Sequence, residues 1–108
     1  MELSVTESLD DDGRHLFRLV GAVDLTSRDL VLQAAEEAFA APAAAGLVLD
    51  MSEVTFFDSS AIGAVVQIAG NASDAGLSFA LRDPSDRVVR VLTIAGLMDA
   101  WPVETAGE

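Results

Sequence analysis

Apolar residues along this chain change their period several times, and each change marks an element. Leu3 and Val5 alternate with Ser4 and Thr6, with Glu7 next in the same register, which predicts a short edge strand. Asp10-Asp11-Asp12-Gly13 is a charged turn closed by a glycine free to take positive φ. A second strand follows at 16–20, Leu-Phe-Arg-Leu-Val, and makes a hairpin with the first through a loop longer than the tightest type. Beyond Gly21-Ala22-Val23-Asp24-Leu25 comes Thr26, with Asp29 three positions on, the spacing of a capping box. Thr26 is therefore the expected cap of a first helix. Its apolar face, Leu30, Val31, Ala34, Ala35, Ala38 and Phe39, continues to Ala41, and Pro42 stops it.

After a turn at Ala43-Ala44-Ala45-Gly46, Leu47-Val48-Leu49 is apolar at every position, as suits a central strand covered on both faces. Residues 54–57 return toward the sheet as a separate segment. A second helix over roughly 60–75 buries Ala61, Val65, Ile68, Ala69 and Ala72 at helical spacing and ends at Gly76. Leu77-Ser78-Phe79-Ala80-Leu81 alternates as a further strand. Asp83-Pro84-Ser85-Asp86 then opens a third helix with Val88, Val91, Leu92 and Ala95 as its buried stripe. Gly96-Leu97 supplies its cap, Trp101-Pro102-Val103 reads as a last short strand, and 104–108 as a polar tail. Strands alternating with helices predict an α/β fold, one sheet with helices packed on it. No repeat or linker interrupts the pattern, so residues 1–108 are expected to form a single domain.

Composition narrows the function classes. Hydrophobic residues make up 51% of the chain, which argues for a folded core, and many of them are alanines suited to close helix packing. Eighteen acidic residues against six basic ones give a net charge of −12, which repels nucleic acid and anionic membrane; solubility is the better account of it, ahead of a partner with a basic face. Five Phe, one Trp and no Tyr are too few for a base-stacking platform. Without cysteine there is no disulfide or thiolate chemistry. Met1-Glu2-Leu3-Ser4 lacks the basic start of a signal peptide, and the longest uncharged stretch, 59–73, is too short and polar to span a bilayer. A cytoplasmic location is the expectation.

Chemistry concentrates at Asp58-Ser59-Ser60, where an apolar strand turns into an apolar helix. A helix start leaves backbone N–H groups unpaired and carries partial positive charge. Either Asp58 or Ser59 can cap it, and one cap needs one such residue. The surplus leaves a hydroxyl at the end of a helix where an added phosphate is best tolerated. Other chemistries fit poorly. The single His15 lies in a turn, no serine is flanked by glycines as in a nucleophile elbow, and no Gly-Lys-Ser/Thr phosphate loop exists. The carboxylates of Asp10, Asp11 and Asp12 lack the ligand spacing of a calcium loop, so an acidic hairpin turn is their better account. No enzyme activity, metal or cofactor is expected.

The segment Val54-Thr55-Phe56-Phe57-Asp58-Ser59-Ser60-Ala61-Ile62-Gly63 resembles the signature of the STAS domain, the family of sulfate transporter domains and anti-sigma factor antagonists. Gly21-Ala22-Val23-Asp24-Leu25, Leu47-Val48-Leu49-Asp50-Met51-Ser52 and Val91-Leu92-Thr93-Ile94-Ala95-Gly96-Leu97 resemble other family segments in the same order. The resemblance implies a STAS-like small mixed β-sheet packed against several α-helices. In the antagonist branch the second hydroxyl of the motif accepts phosphate, which falls on Ser60. It further implies that the unphosphorylated protein binds an anti-sigma factor that is also a serine kinase, releasing sigma. Phosphorylation ends that binding and a phosphatase restores it. Asp24, Asp58, Ser59, Ser60, Ala61 and Ile62 would form the partner surface, with Ser59 as cap or hydrogen-bonding neighbour and Asp58 holding the loop and orienting the hydroxyl. Two positions depart from the pattern: Ala61 stands where glycine is usual, and Ala22 where glutamate is frequent. The family also implies two alternatives, a structural subunit of a lipid-transport ATPase and a small-ligand sensor.

Overall fold

The computed structural model describes residues 2–40 and 45–105. β1 (Leu3–Leu9) and β2 (His15–Val23) form the antiparallel hairpin, with Leu3 opposite Gly21 and Leu9 opposite His15. α1 (Arg28–Phe39) leads to β3 (Gly46–Phe57), α2 (Ser59–Asp74) to β4 (Ser78–Arg82), and α3 (Asp86–Ile94) to β5 (Val103–Glu104). Each of these three strands is parallel to the one before it, so helices serve as the crossovers that parallel pairing demands. The sheet runs β1-β2-β3-β4-β5 and is mixed, antiparallel only at the β1 edge. Pro42 and the turn at Ala43-Ala44 lie outside the described residues, as do Ala41 and the last three positions of the tail; α1 ends with Ala40 as its C-cap.

Every helix sends side chains into one core. Val31, Ala35 and Ala38 of α1, Ala61, Val65, Ile68 and Ala72 of α2, and Val88 and Leu92 of α3 meet Phe17, Leu19, Leu49, Phe57 and Leu81 of the sheet. The buried alanines let the helices approach closely, and among the described residues no polar or charged side chain is fully buried. Two helices end in the same way. Gly76 (φ 74°) and Gly96 (φ 75°) turn the chain, and the N–H groups of Leu77 and Leu97 bond back to Ala72 and Leu92 at 2.8 Å. That is the Schellman arrangement, with each leucine returning to the core.

The expected break inside the third strand does not occur: β3 is continuous from Gly46 to Phe57. Asp50 Oδ1 accepts both Ser52 N–H (3.0 Å) and Ser52 Oγ–H (2.8 Å), and pairing with β2 passes over Met51 and Ser52, from Asp50 opposite Arg18 to Glu53 opposite Val20. The extra residues bulge out of β3, once between Asp50 and Glu53 and once between Val54 and Phe56, the second opposite Gly21 and Ala22. Gly21 has φ 117°, and a Cβ there would overlap the carbonyl oxygen of Glu2, so glycine is required. Because β4 pairs only with residues 46–50, the far half of β3 overhangs it. The start of α3 covers that overhang: Ser85 N–H bonds Met51 O at 3.1 Å and Ser85 Oγ–H bonds Val54 O at 2.7 Å.

The acidic turn is a structural device. Asp10 accepts the backbone N–H groups of Asp12 (3.0 Å) and Arg14 (2.8 Å) and pairs with Arg14 Nε at 2.7 Å. Arg14 then forks onto Glu104 at 3.1 and 2.9 Å, and Arg82 reaches the same carboxylate at 2.7 Å. Burial acts to raise the Asp10 carboxyl, but the bonds from Arg14 and Asp12 outweigh it and hold Asp10 below its usual range. Bonds from Arg14, against the opposing effect of burial, do the same for Glu104. Both carboxyls are depressed in the folded state, so their contribution is complete above the unfolded values of 3.8 and 4.5 and is lost as pH falls through the lower folded values. Thermal melts of wild type and Glu104→Gln are expected to differ clearly at pH 7 and to converge toward pH 2; an equal gap at both would show that the cluster does not titrate.

Candidate functional site

In register, Ala22 lies opposite Phe56 and Val23 opposite Phe57, so β2 and β3 end side by side. The loops that follow them therefore share one edge of the sheet, the carboxyl edge of parallel strands where open α/β sheets place their sites. One loop carries Asp24 to Ser27; the other is Asp58, followed at once by α2.

Asp58 settles which residue caps. It is the N-cap of α2 with extended backbone (φ −125°, ψ −171°), and its Oδ1 accepts Ala61 N–H at 3.0 Å. Its carbonyl also accepts Ile62 N–H at 3.0 Å. Ser59 is not the cap but the first residue of the helix, and Ser60 is the second. Neither hydroxyl makes a hydrogen bond among the described residues, so Asp58 holds the loop without bonding the Ser60 hydroxyl. Ser59 is exposed and Ser60 half-buried. The N–H groups of both lie in the first turn, where no intrahelical acceptor exists. Ala61, placed at the partner surface from the sequence, is 0% exposed, and its side chain belongs to the core. Ile62 beside it is half-buried and reaches the surface.

The neighbouring loop corrects the expected Thr26–Asp29 capping box. The N-cap of α1 is Ser27, with no side-chain cap bond. Asp24 Oδ1 organises the turn instead, accepting Thr26 N–H (3.0 Å), Thr26 Oγ–H (2.7 Å) and Ser27 N–H (3.0 Å). Asp24 comes immediately after the strand, so an Asx-type turn forms there before a box anchored at Thr26 can. The bonds from Thr26 and Ser27 hold the Asp24 carboxyl below its usual range despite burial acting the other way. Asp24 is thus an ionised, fixed carboxylate on the same edge as Ser60.

Two residues of this edge escaped the sequence reading. Leu25 is 69% exposed at the tip of the Asp24 turn, an apolar side chain beside a polar site. It was absorbed into the apolar Gly21–Leu25 segment, although Asp24 already signalled the turn. Arg28, first residue of α1, reaches α2: its Nη2 stands 3.8 Å from the position a Cβ on Gly63 would take. A cation at the positive end of a helix was the available signal.

With that geometry in view, comparison with known proteins identifies the family. The STAS domain model matches residues 5–106, and the chain belongs to that family. Among solved structures it resembles the anti-sigma factor antagonist SpoIIAA in its unphosphorylated form (21% identity, 97% of this chain and 90% of that one, TM-score 0.78). It resembles the Bacillus cell fate determinant SpoIIAA in the phosphorylated form similarly (20%, 97% and 93%, 0.74). An anti-sigma factor antagonist from Mycobacterium paratuberculosis matches at 22% identity over 95% of this chain and 86% of that one (TM-score 0.75). No curated protein matches the chain significantly. At these identities the neighbours establish the fold, the mixed α/β sheet with its helices. Among the described residues no helix is long and apolar enough to cross a membrane.

Proposed function

We propose that this STAS domain is an anti-sigma factor antagonist controlled by phosphorylation of Ser60. The observation that carries the reading is the division of labour at the start of α2: Asp58 alone caps the helix, so the hydroxyl of Ser60 is uncommitted at its positive end. The solved neighbours include an antagonist in both unphosphorylated and phosphorylated forms, which supports the same reading. In the phosphorylation step, Ser60 Oγ attacks the γ-phosphorus of ATP bound to the partner. The Oγ–P bond forms, the bond to the ADP oxygen breaks, and the hydroxyl proton passes to a base of the kinase.

The proposed partner is an anti-sigma factor that is also a serine kinase, and a phosphatase reverses the modification. Asp24, Asp58, Ser59, Ser60 and Ile62 form the surface it meets, with Leu25 as an apolar contact at the rim and Ala61 beneath. A cytoplasmic setting suits the sigma factor it would release. The test is to incubate the protein with its cognate kinase and ATP and to map phosphate by mass spectrometry. One phosphate on Ser60 is expected, and none on Ser60→Ala; phosphate on Ser59 or elsewhere in the wild type would overturn the assignment.

A further inference from the structure

Arg28 is placed against the interest of its own helix. It is the first residue of α1, where the helix dipole is positive and an acidic residue is the stabilising choice. Its guanidinium has five donor hydrogens, yet among the described residues it makes no side-chain hydrogen bond or ion pair, and its Nε is buried without a partner. Arg14, Arg18 and Arg82 each hold a carboxylate. In a chain with eighteen acidic residues, an inward-lying arginine that engages none of them has another use.

Its position indicates which. Nη2 lies 3.8 Å from where a Cβ on Gly63 would stand, so the guanidinium rests at van der Waals distance from the second turn of α2. Ser60 is three residues before Gly63, one turn toward the helix start on the same face, where i, i+3 side-chain positions stand about 5–6 Å apart. The backbone of Arg28 is fixed by the loop that precedes it, through its N–H bond to Asp24 O at 2.9 Å. A phosphoryl group on Ser60 extends the serine by two bonds and presents three acceptor oxygens to a planar donor fork.

We propose that Arg28 is the residue that holds the phosphate on Ser60, its guanidinium pairing with the phosphoryl oxygens while the free N–H groups of the α2 start complete their coordination. The inference rests on Ser60 being the acceptor. It makes the phosphorylated state a clamp between the two helix starts, with the phosphate fixed in one orientation rather than mobile in solvent. The other charged groups on these loops are Asp24 and Asp29 on one side and Asp58 on the other, all carboxylates that oppose the second ionisation of the phosphate. Arg28 is the group on these two loops that favours it.

The test installs phosphoserine at position 60 genetically, which needs no kinase, and titrates the phosphate by phosphorus NMR in wild type, Arg28→Lys and Arg28→Gln. The second ionisation is expected to rise by about half a unit to one unit in Arg28→Gln, with Arg28→Lys between the two. A purely structural Arg28 would leave the three titrations superimposed, and that result overturns the clamp. Circular dichroism confirms that the variants are folded, and Arg28→Lys, which keeps the charge and most of the length, carries the comparison if Arg28→Gln is not. Identical titrations together with kinase mapping to Ser60 would remove Arg28 and leave the switch. An Arg28-dependent titration together with mapping elsewhere would remove the switch and leave the phosphate site.

Discussion

Phosphorylation of Ser60 is expected to weaken binding of the anti-sigma partner by about 100-fold, Ser60→Glu by about 10-fold or more, and Ser60→Ala by little. The cause is electrostatic. A phosphate brings about −1.5 to −2 charges and three acceptor oxygens into the docking edge, and affinity falls because that edge meets an acidic or apolar patch of the partner. Two like charges about 5 Å apart at an effective dielectric of about 20 repel by roughly 3 kcal/mol, and about 2.7 kcal/mol is a 100-fold change in affinity. Glutamate adds one charge with less reach, and hence has the smaller effect. Alanine removes a hydroxyl that bonds nothing among the described residues, and it is a good helix former, so the fold loses no contact and the docking edge gains no charge. No rearrangement of α2 is needed, because Asp58 keeps the cap in every variant. Calorimetric titration against the kinase in the absence of ATP measures all three. Alanine and glutamate variants of equal affinity would mean that charge at this position does not control docking.

The hairpin, three helices and the order of the strands were legible because each has a local cause: a period of two or 3.6, a glycine after each of two helices, a charged turn. What escaped depended on groups distant in sequence. Asp50-Met51-Ser52 reads as a break, but in space β3 only bulges there and resumes its pairing at Glu53, opposite Val20, some thirty residues away in sequence. Glu104 reads as the first residue of a polar tail and is instead gripped by Arg14 and Arg82. At the site, Asp58 and Ser59 compete equally for the cap on sequence grounds. Only the extended backbone at Asp58 and the 3.0 Å bond to Ala61 N–H decide between them. Ala61 was legible from its helical phase, three residues before Ala64 and four before Val65, which puts it in the buried stripe where it is found.

Phe57→Ala is expected to cost about 3–5 kcal/mol, against about 1–2 kcal/mol for Phe56→Ala one position earlier. Phe57 is 1% exposed and sits in the common core with residues of the three helices, so truncation leaves a cavity that a continuous strand cannot close. Phe56 is half-buried on the alternate side, with the Arg87 guanidinium 5.0 Å over its ring, so it loses a partial burial and one cation–π contact. A domain of this size holds about 5–15 kcal/mol in all, so the first change removes a large share and lowers the melting temperature by on the order of 15 °C or more. Urea and thermal melts of the two variants provide the comparison. Equal losses would show that the two rings share a burial environment and that β3 does not present Phe57 to the core. The consequence reaches the site, because Asp58 inherits its extended backbone directly from Phe57. The residue that costs most when cut is the one that sets where the cap, and therefore Ser60, stands.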